Sequence, residues 1–321
     1  MKSINKRTLT VTALYALIPL LLIIVPHLFA KAQMQAYDAA YNTYMVLVEF
    51  AVVALPALIW LLTKHGREAA KDFWRKKPDA TILLVIPLAV CAYFCANGIT
   101  VAWFVLLQQL GITHMPETVP APQSAAQLGI GMAIIALTPA ACEEFFFRGI
   151  LQPTLHRNMK PWAAIVLGGC MFGLVHGQIV AMPAHVILGM GLCIVAYWTR
   201  SIWPTLLWHF IQNGIAVVIS YFSESILQAT GSVDASTAML TEGPAVMLLS
   251  AGMMAVLFGG GVILFGALLY ITTHIRPKAA EVSEEAQEKA DLWAYAPLIA
   301  AIGGILYLYI TGTMQLTGGG M

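Results

Sequence analysis

The chain has too little charge for a soluble surface. Only 10% of its 321 residues are Asp, Glu, Lys or Arg and 59% are hydrophobic, whereas a soluble domain carries about 25% charged residues. With a mean hydropathy of +0.78, this composition excludes the ordinary globular class and specifies a polytopic membrane protein. Aspartate is missing where an intramembrane chemistry would need it. Asp38, Asp72, Asp79, Asp234 and Asp291 all lie outside the apolar runs, which excludes a two-aspartate site within the membrane. There is no His-Glu-x-x-His, which argues against a zincin-like centre. The serines within apolar runs, such as Ser220 and Ser250, lack a Gly-x-Ser-x-Gly setting, which disfavours a serine nucleophile. A net charge of +1 and the lack of basic stretches interleaved with aromatics leave no case for nucleic acid. Cys91, Cys95, Cys142, Cys170 and Cys193 all fall in apolar segments without a paired pattern, so they are read as packing. Cys91 and Cys95 share a helical face, but two thiols alone make a poor metal site.

What is present is a series of apolar runs long enough to cross about 30 Å of hydrocarbon. Nine are expected, at residues 8–30, 44–63, 80–109, 127–155, 161–181, 182–199, 203–222, 244–273 and 292–312. The fold class is therefore an all-α transmembrane bundle. It divides into three spans in 1–110, a four-helix core in 127–222 and two spans in 244–321, with no soluble domain and no internal repeat. Ala30-Lys31-Ala32 has the small-x-small form of a cleavage site, but the run before it is long enough to stay as a helix.

The basic residues give the orientation. Lys2, Lys6, Arg7, Lys64, Arg67, Lys71, Arg75, Lys76, Lys77, Arg157, Lys160, Arg200, Arg276, Lys278 and Lys289 all fall in alternate connections, leaving only Lys31 opposite and Arg148 inside a span. This places the amino terminus in the cytoplasm and the carboxyl terminus outside, most simply in a plasma membrane. Residues 64–79, with six basic side chains beside Phe73 and Trp74, suit either an interfacial helix on anionic lipid or a solvated loop. The connections 111–126 and 223–243 lack Lys and Arg, as expected outside, and 278–291 reads as a short cytoplasmic linker. Gly169, Gly173 and Gly177 share a face of the fifth span, the usual pattern for close helix approach. Gly259-Gly260-Gly261 suggests a distortion or a tight crossing.

Charge inside a span needs a reason, because an ionised group at mid-bilayer costs roughly 2.5–3.5 kcal/mol on insertion scales. The fourth span holds Glu143, Glu144 and Arg148. On a helix Glu144 and Arg148 lie one turn apart in the favourable acid-first order, and Glu143 is rotated about 100° away. Two histidines are also deep, His176 and His209. From the cytoplasmic span ends, Glu143 is roughly 18–20 Å deep, His176 roughly 22 Å, Asn213 roughly 15 Å and His209 roughly 9 Å at 1.5 Å per residue. Three helices thus bring a carboxylate, an imidazole and an imidazole-plus-amide pair to comparable levels.

Three motifs, Glu143-Glu144-x-x-x-Arg148, Phe172-x-x-x-His176 and His209-x-x-x-Asn213 after Ser201-Ile-Trp-Pro-Thr, occur on successive spans. In order and spacing they resemble the CPBP (Abi) family of intramembrane proteases, which includes the CAAX prenyl endopeptidases. The resemblance covers about residues 127–222. It implies an endopeptidase acting on a membrane-associated peptide, prenylated or bacteriocin-like. Glu143 and His176 would activate water, and His209 and Asn213 would bind the oxyanion. Arg148 would hold Glu144, and Phe172 would wall the site. A desolvated glutamate is a chemically sound base and acid for this role.

Glutamate chemistry without metal is favoured. Zinc held by Glu143, His176 and His209 is the alternative, although Asn213 is an unusual zinc ligand and the spacing matches no dedicated zinc motif. The implied partners are lipid and a membrane peptide or protein. Non-enzymatic readings are a scaffold or immunity protein that keeps the polar cluster for packing, and a proton-coupled transporter that also uses Glu49 of the second span. For Glu49 itself a packing hydrogen bond or a lipid-facing position is preferred. Substrate and oligomeric state stay open.

Overall fold

The computed structural model describes residues 6–29, 34–63, 66–67, 80, 82–112, 119–230, 243–274 and 292–305. All regular structure among them is helical, and each of the nine expected spans coincides with a helix: α1 (Lys6–Phe29), α2 (Ala39–Leu62), α3 (Ile82–Gln108), α4 (Ala125–Asn158), α5 (Pro161–Val175), α6 (Met182–Thr199), α7 (Trp203–Thr230), α8 (Pro244–His274) and α9 (Trp293–Ile305). Six of these, α2, α3, α4, α6, α7 and α8, are long and apolar enough to cross a membrane, whereas α5 and the described part of α9 are shorter. The chain is an all-α integral membrane protein. The 64–79 and 278–291 connections, apart from Gly66 and Arg67, and the Ala30-Lys31-Ala32 site lie outside the described residues.

Burial follows the logic of lipid rather than water. Large apolar side chains line the outside, among them Leu62, Val256 and Ile263, each about three quarters exposed (77%, 77% and 74%). The fully buried side chains include Arg148 and Glu144. Polar groups are enclosed because hydrocarbon offers them no hydrogen bonds. Helix α4 lies at the centre, packed by α2, α5 and α7, while α8 packs along α3 and α9 against α1.

One expectation about a helix end needs correction. The fifth span was expected to run to residue 181, but α5 ends at Val175 and His176 is its C-cap. Gly177 then takes φ +65° and the chain turns into α6. Gly177 therefore belongs to the turn, where glycine alone adopts this backbone freely, and it is not part of a packing stripe. The seventh span, expected at 203–222, lies at Trp203–Ser223 within a helix that continues to Thr230.

Gly169 and Gly173 do make a close crossing. A Cβ on Gly169 would lie 2.8 Å from both Met190 N and Val186 O, and one on Gly173 would lie 2.8 Å from Val186 N. At Gly261 a Cβ would strike Cys91 Sγ, while Gly259 and Gly260 face open space. The glycine triplet thus serves a tight α3–α8 crossing, and α8 is uninterrupted through it.

Candidate active site

The helix that carries the acids is irregular on both sides of them. Within α4, Met132–Leu137 and Phe147–Leu151 are π-helical and flank the α-helical Thr138–Phe146. In α2, Glu49–Ala54 is π-helical as well. Each wide turn is followed by a proline in the first turn of the next α segment, Pro139, Pro153 and Pro56. A proline ring has no N–H and clashes with the carbonyl four residues back, so the preceding turn opens. Those carbonyls belong to Ile135, Gly149 and Val52, each inside its π segment. π turns of this kind are frequent at functional sites, where they re-aim side chains.

Glu144 and Arg148 form the sealed half of the site, both fully buried. Arg148 donates from Nη1 to Glu144 Oε1 at 2.8 Å and from Nη2 to the Gly189 carbonyl at 3.1 Å. The carbonyl comes that close because α6 and α5 meet at glycine: a Cβ on Gly189 would lie 2.9 Å from Phe172 Cβ and 3.1 Å from Gly169 Cα. The guanidinium also lies 4.6 Å from the centre of the Phe172 ring, a cation–π distance. Phe172 is thus a support for Arg148 as well as a neighbour of both histidine rings.

His209 joins this half through a contact that helical spacing on α7 could not reveal. Its Nδ1 lies 3.0 Å from Glu144 Oε1. A carboxylate accepts, so Nδ1 carries the proton. The neutral ring then presents an unprotonated Nε2, and Nε2 becomes a donor only in the imidazolium. Glu144 therefore orients an imidazole in addition to pairing with Arg148.

Glu143 and His176 form the open half. Glu143 Oε2 is 3.9 Å from His176 Nε2, and the two side chains keep 12% and 24% of their surface against 0% for Glu144 and Arg148. His176 Nδ1 is 2.7 Å from the Phe172 carbonyl, which only accepts. This fixes the tautomer with its lone pair on Nε2, toward Glu143. Glu143 Oε2 has no hydrogen-bond partner among the described residues. Asn213 is half-buried, one turn beyond His209 on α7.

Two residues take places that the sequence reading did not foresee. Glu49 was expected to make a packing hydrogen bond or face lipid. Its Oε2 is instead buried without a hydrogen-bond partner among the described residues, and the side chain is close enough to Glu143 to interact with it electrostatically. An acid on a second span was the available signal. His185, which belongs to none of the three motifs, stacks on His176 with ring centroids 4.3 Å apart and planes at 26°. No helical spacing links them, because the α5–α6 turn lies between.

The zinc alternative can be tested on the donor set. Among the described residues no three His, Cys, Asp or Glu side chains are arranged to hold one metal ion. Glu143 lies 3.9 Å from His176, and Glu143, His176 and His209 do not come together as such a group.

Residues 125–215 match the family model described as Rce1-like, type II CAAX prenyl endopeptidase. Over this stretch the chain is similar to the CAAX prenyl endopeptidases, the group to which its three motifs also point. The match runs from the start of α4 into α7 and holds all three motifs of the CPBP resemblance, while α1–α3 and α8–α9 lie outside it. No curated protein and no solved structure matches the chain.

Proposed function

We propose that the protein is an intramembrane endopeptidase in which Glu143 and His176 activate a water for attack on a peptide bond. The observation that carries this is the split of the acidic motif into a sealed Glu144–Arg148 pair and a partly open Glu143 whose free oxygen stands 3.9 Å from His176 Nε2. That separation is beyond a direct hydrogen bond, yet one water oxygen can lie about 2.8 Å from both atoms. Glu143 takes the proton from the water as it attacks and later delivers it to the leaving amine. His176, with its lone pair fixed on Nε2, orients the same water.

The Asn213 amide is the neutral donor toward the developing oxyanion. His209 contributes as the imidazolium, whose charge the buried Glu144 carboxylate balances. The substrate class is a membrane-associated peptide, with prenylated CAAX peptides as the leading candidate from the family match. Helices α1–α3 and α8–α9 are read as flanking units around a catalytic core at 127–222. The alternation of basic connections supports a cytoplasmic amino terminus.

Mass-spectrometric comparison of peptide termini in membranes holding the active protein or Glu143→Ala tests the reading. New carboxyl and amino termini dependent on Glu143 are expected. Identical terminus sets at equal expression would overturn the assignment and favour a non-catalytic scaffold.

A further inference from the structure

His176 stands at a weak point of the backbone. It is the C-cap of α5, followed by Gly177 at φ +65° and a turn, so its own helix holds it from one side only. Its ring orientation depends on what surrounds it. The Phe172 carbonyl holds Nδ1 at 2.7 Å, and the Phe172 ring lies at 4.7 Å, tilted by 53°. The third contact comes from the next helix: His185, in the first turn of α6, lies nearly parallel to the His176 ring at 4.3 Å.

The stack sets the plane of the ring. His185 lies against the face of the His176 imidazole, so it limits rotation of that ring and keeps Nε2 aimed at Glu143. A small misplacement of a group that positions the reacting water costs turnover more than substrate binding.

Resting on the proposed function, we infer that His185 is a positioning residue, whose ring holds the His176 imidazole with Nε2 toward Glu143. His185 needs no contact with the substrate, and it lies outside the three motifs of the CPBP resemblance. Its effect belongs to kcat, and an aromatic face of another kind should replace it.

The full-length protein, purified in detergent, is assayed with a fluorogenic farnesylated CAAX peptide as wild type, His185→Leu, His185→Phe and Glu143→Gln. His185→Leu fills the space without a π face and is expected to lower kcat by about 10–100-fold with KM within about twofold. His185→Phe is expected to recover kcat to within about threefold of wild type. Matching elution and melting of the Leu and Phe variants exclude a folding effect. If Leu fails to fold, His185→Phe alone decides, since near-wild-type turnover supports the stack and a Leu-like loss contradicts it. Glu143-dependent cleavage that is indifferent to His185→Leu, or Phe as impaired as Leu, overturns the inference alone. Wild-type protein that cleaves no better than Glu143→Gln overturns the enzymatic reading and this inference with it.

Discussion

Glu143→Gln is expected to lower cleavage of a membrane peptide by at least about a thousandfold while the protein accumulates, inserts and melts as the wild type does. The substitution keeps shape and one acceptor oxygen, and it removes the carboxylate that takes a proton from water. Loss of a positioned general base costs about 10²–10⁴ in rate, and two steps depend on this one group, since the same proton must reach the leaving amine. Stability should hardly move, because the Glu143 oxygen nearest His176 makes no hydrogen bond among the described residues and the side chain keeps 12% of its surface. The measurement is kcat and KM of the purified variant beside its thermal melt. Retained turnover would remove Glu143 from the chemistry and return the polar cluster to a packing role.

Arg148→Met should give the opposite signature, a protein that fails by stability. Arg148 is fully buried and joins Glu144 on its own helix to the Gly189 carbonyl on α6 at 3.1 Å. Removing one partner of a buried ion pair leaves an uncompensated charge, at a cost of about 3–5 kcal/mol. For a chain of this size that corresponds to a fall in melting temperature of about 10 °C. Arg148→Lys should recover only part of it, since an ammonium lacks the planar fork that reaches Glu144 and Gly189 together and lies over Phe172. The double variant Arg148→Met with Glu144→Gln should be more stable than Arg148→Met alone, because the buried carboxylate is gone while the Gln oxygen still accepts from His209. Wild-type melting of Arg148→Met would contradict the picture of a sealed ion pair that organises the core.

The sequence makes the helices legible because hydrocarbon imposes one rule, that a crossing segment be long, apolar and closed in its own hydrogen bonds. That rule locates all nine helices, and helical spacing pairs Glu144 with Arg148. It fails where the determinant is not periodic. The end of α5 at Val175 is set by a turn through Gly177, inside a run free of Asp, Glu, Lys and Arg, so the charge pattern that bounds the spans gives no signal there. The Glu144–His209 bond spans 65 residues, and its direction depends on helix rotation that a motif does not encode. The His176–His185 stack arises only once the α5–α6 hairpin has closed on Gly169 and Gly173. Glu49 was legible as a misplaced acid, but its proximity to Glu143 required the packing of α2 against α4.

The central claim is that a carboxylate and an imidazole, held side by side, activate water directly. It is tested most directly by measuring turnover of a farnesylated CAAX peptide by the purified protein after exhaustive chelation, with metal content determined on the same sample. The account predicts turnover unchanged within about twofold in protein that holds far less than one metal ion per chain, and still abolished by Glu143→Gln. Activity lost on chelation and restored by zinc would contradict it.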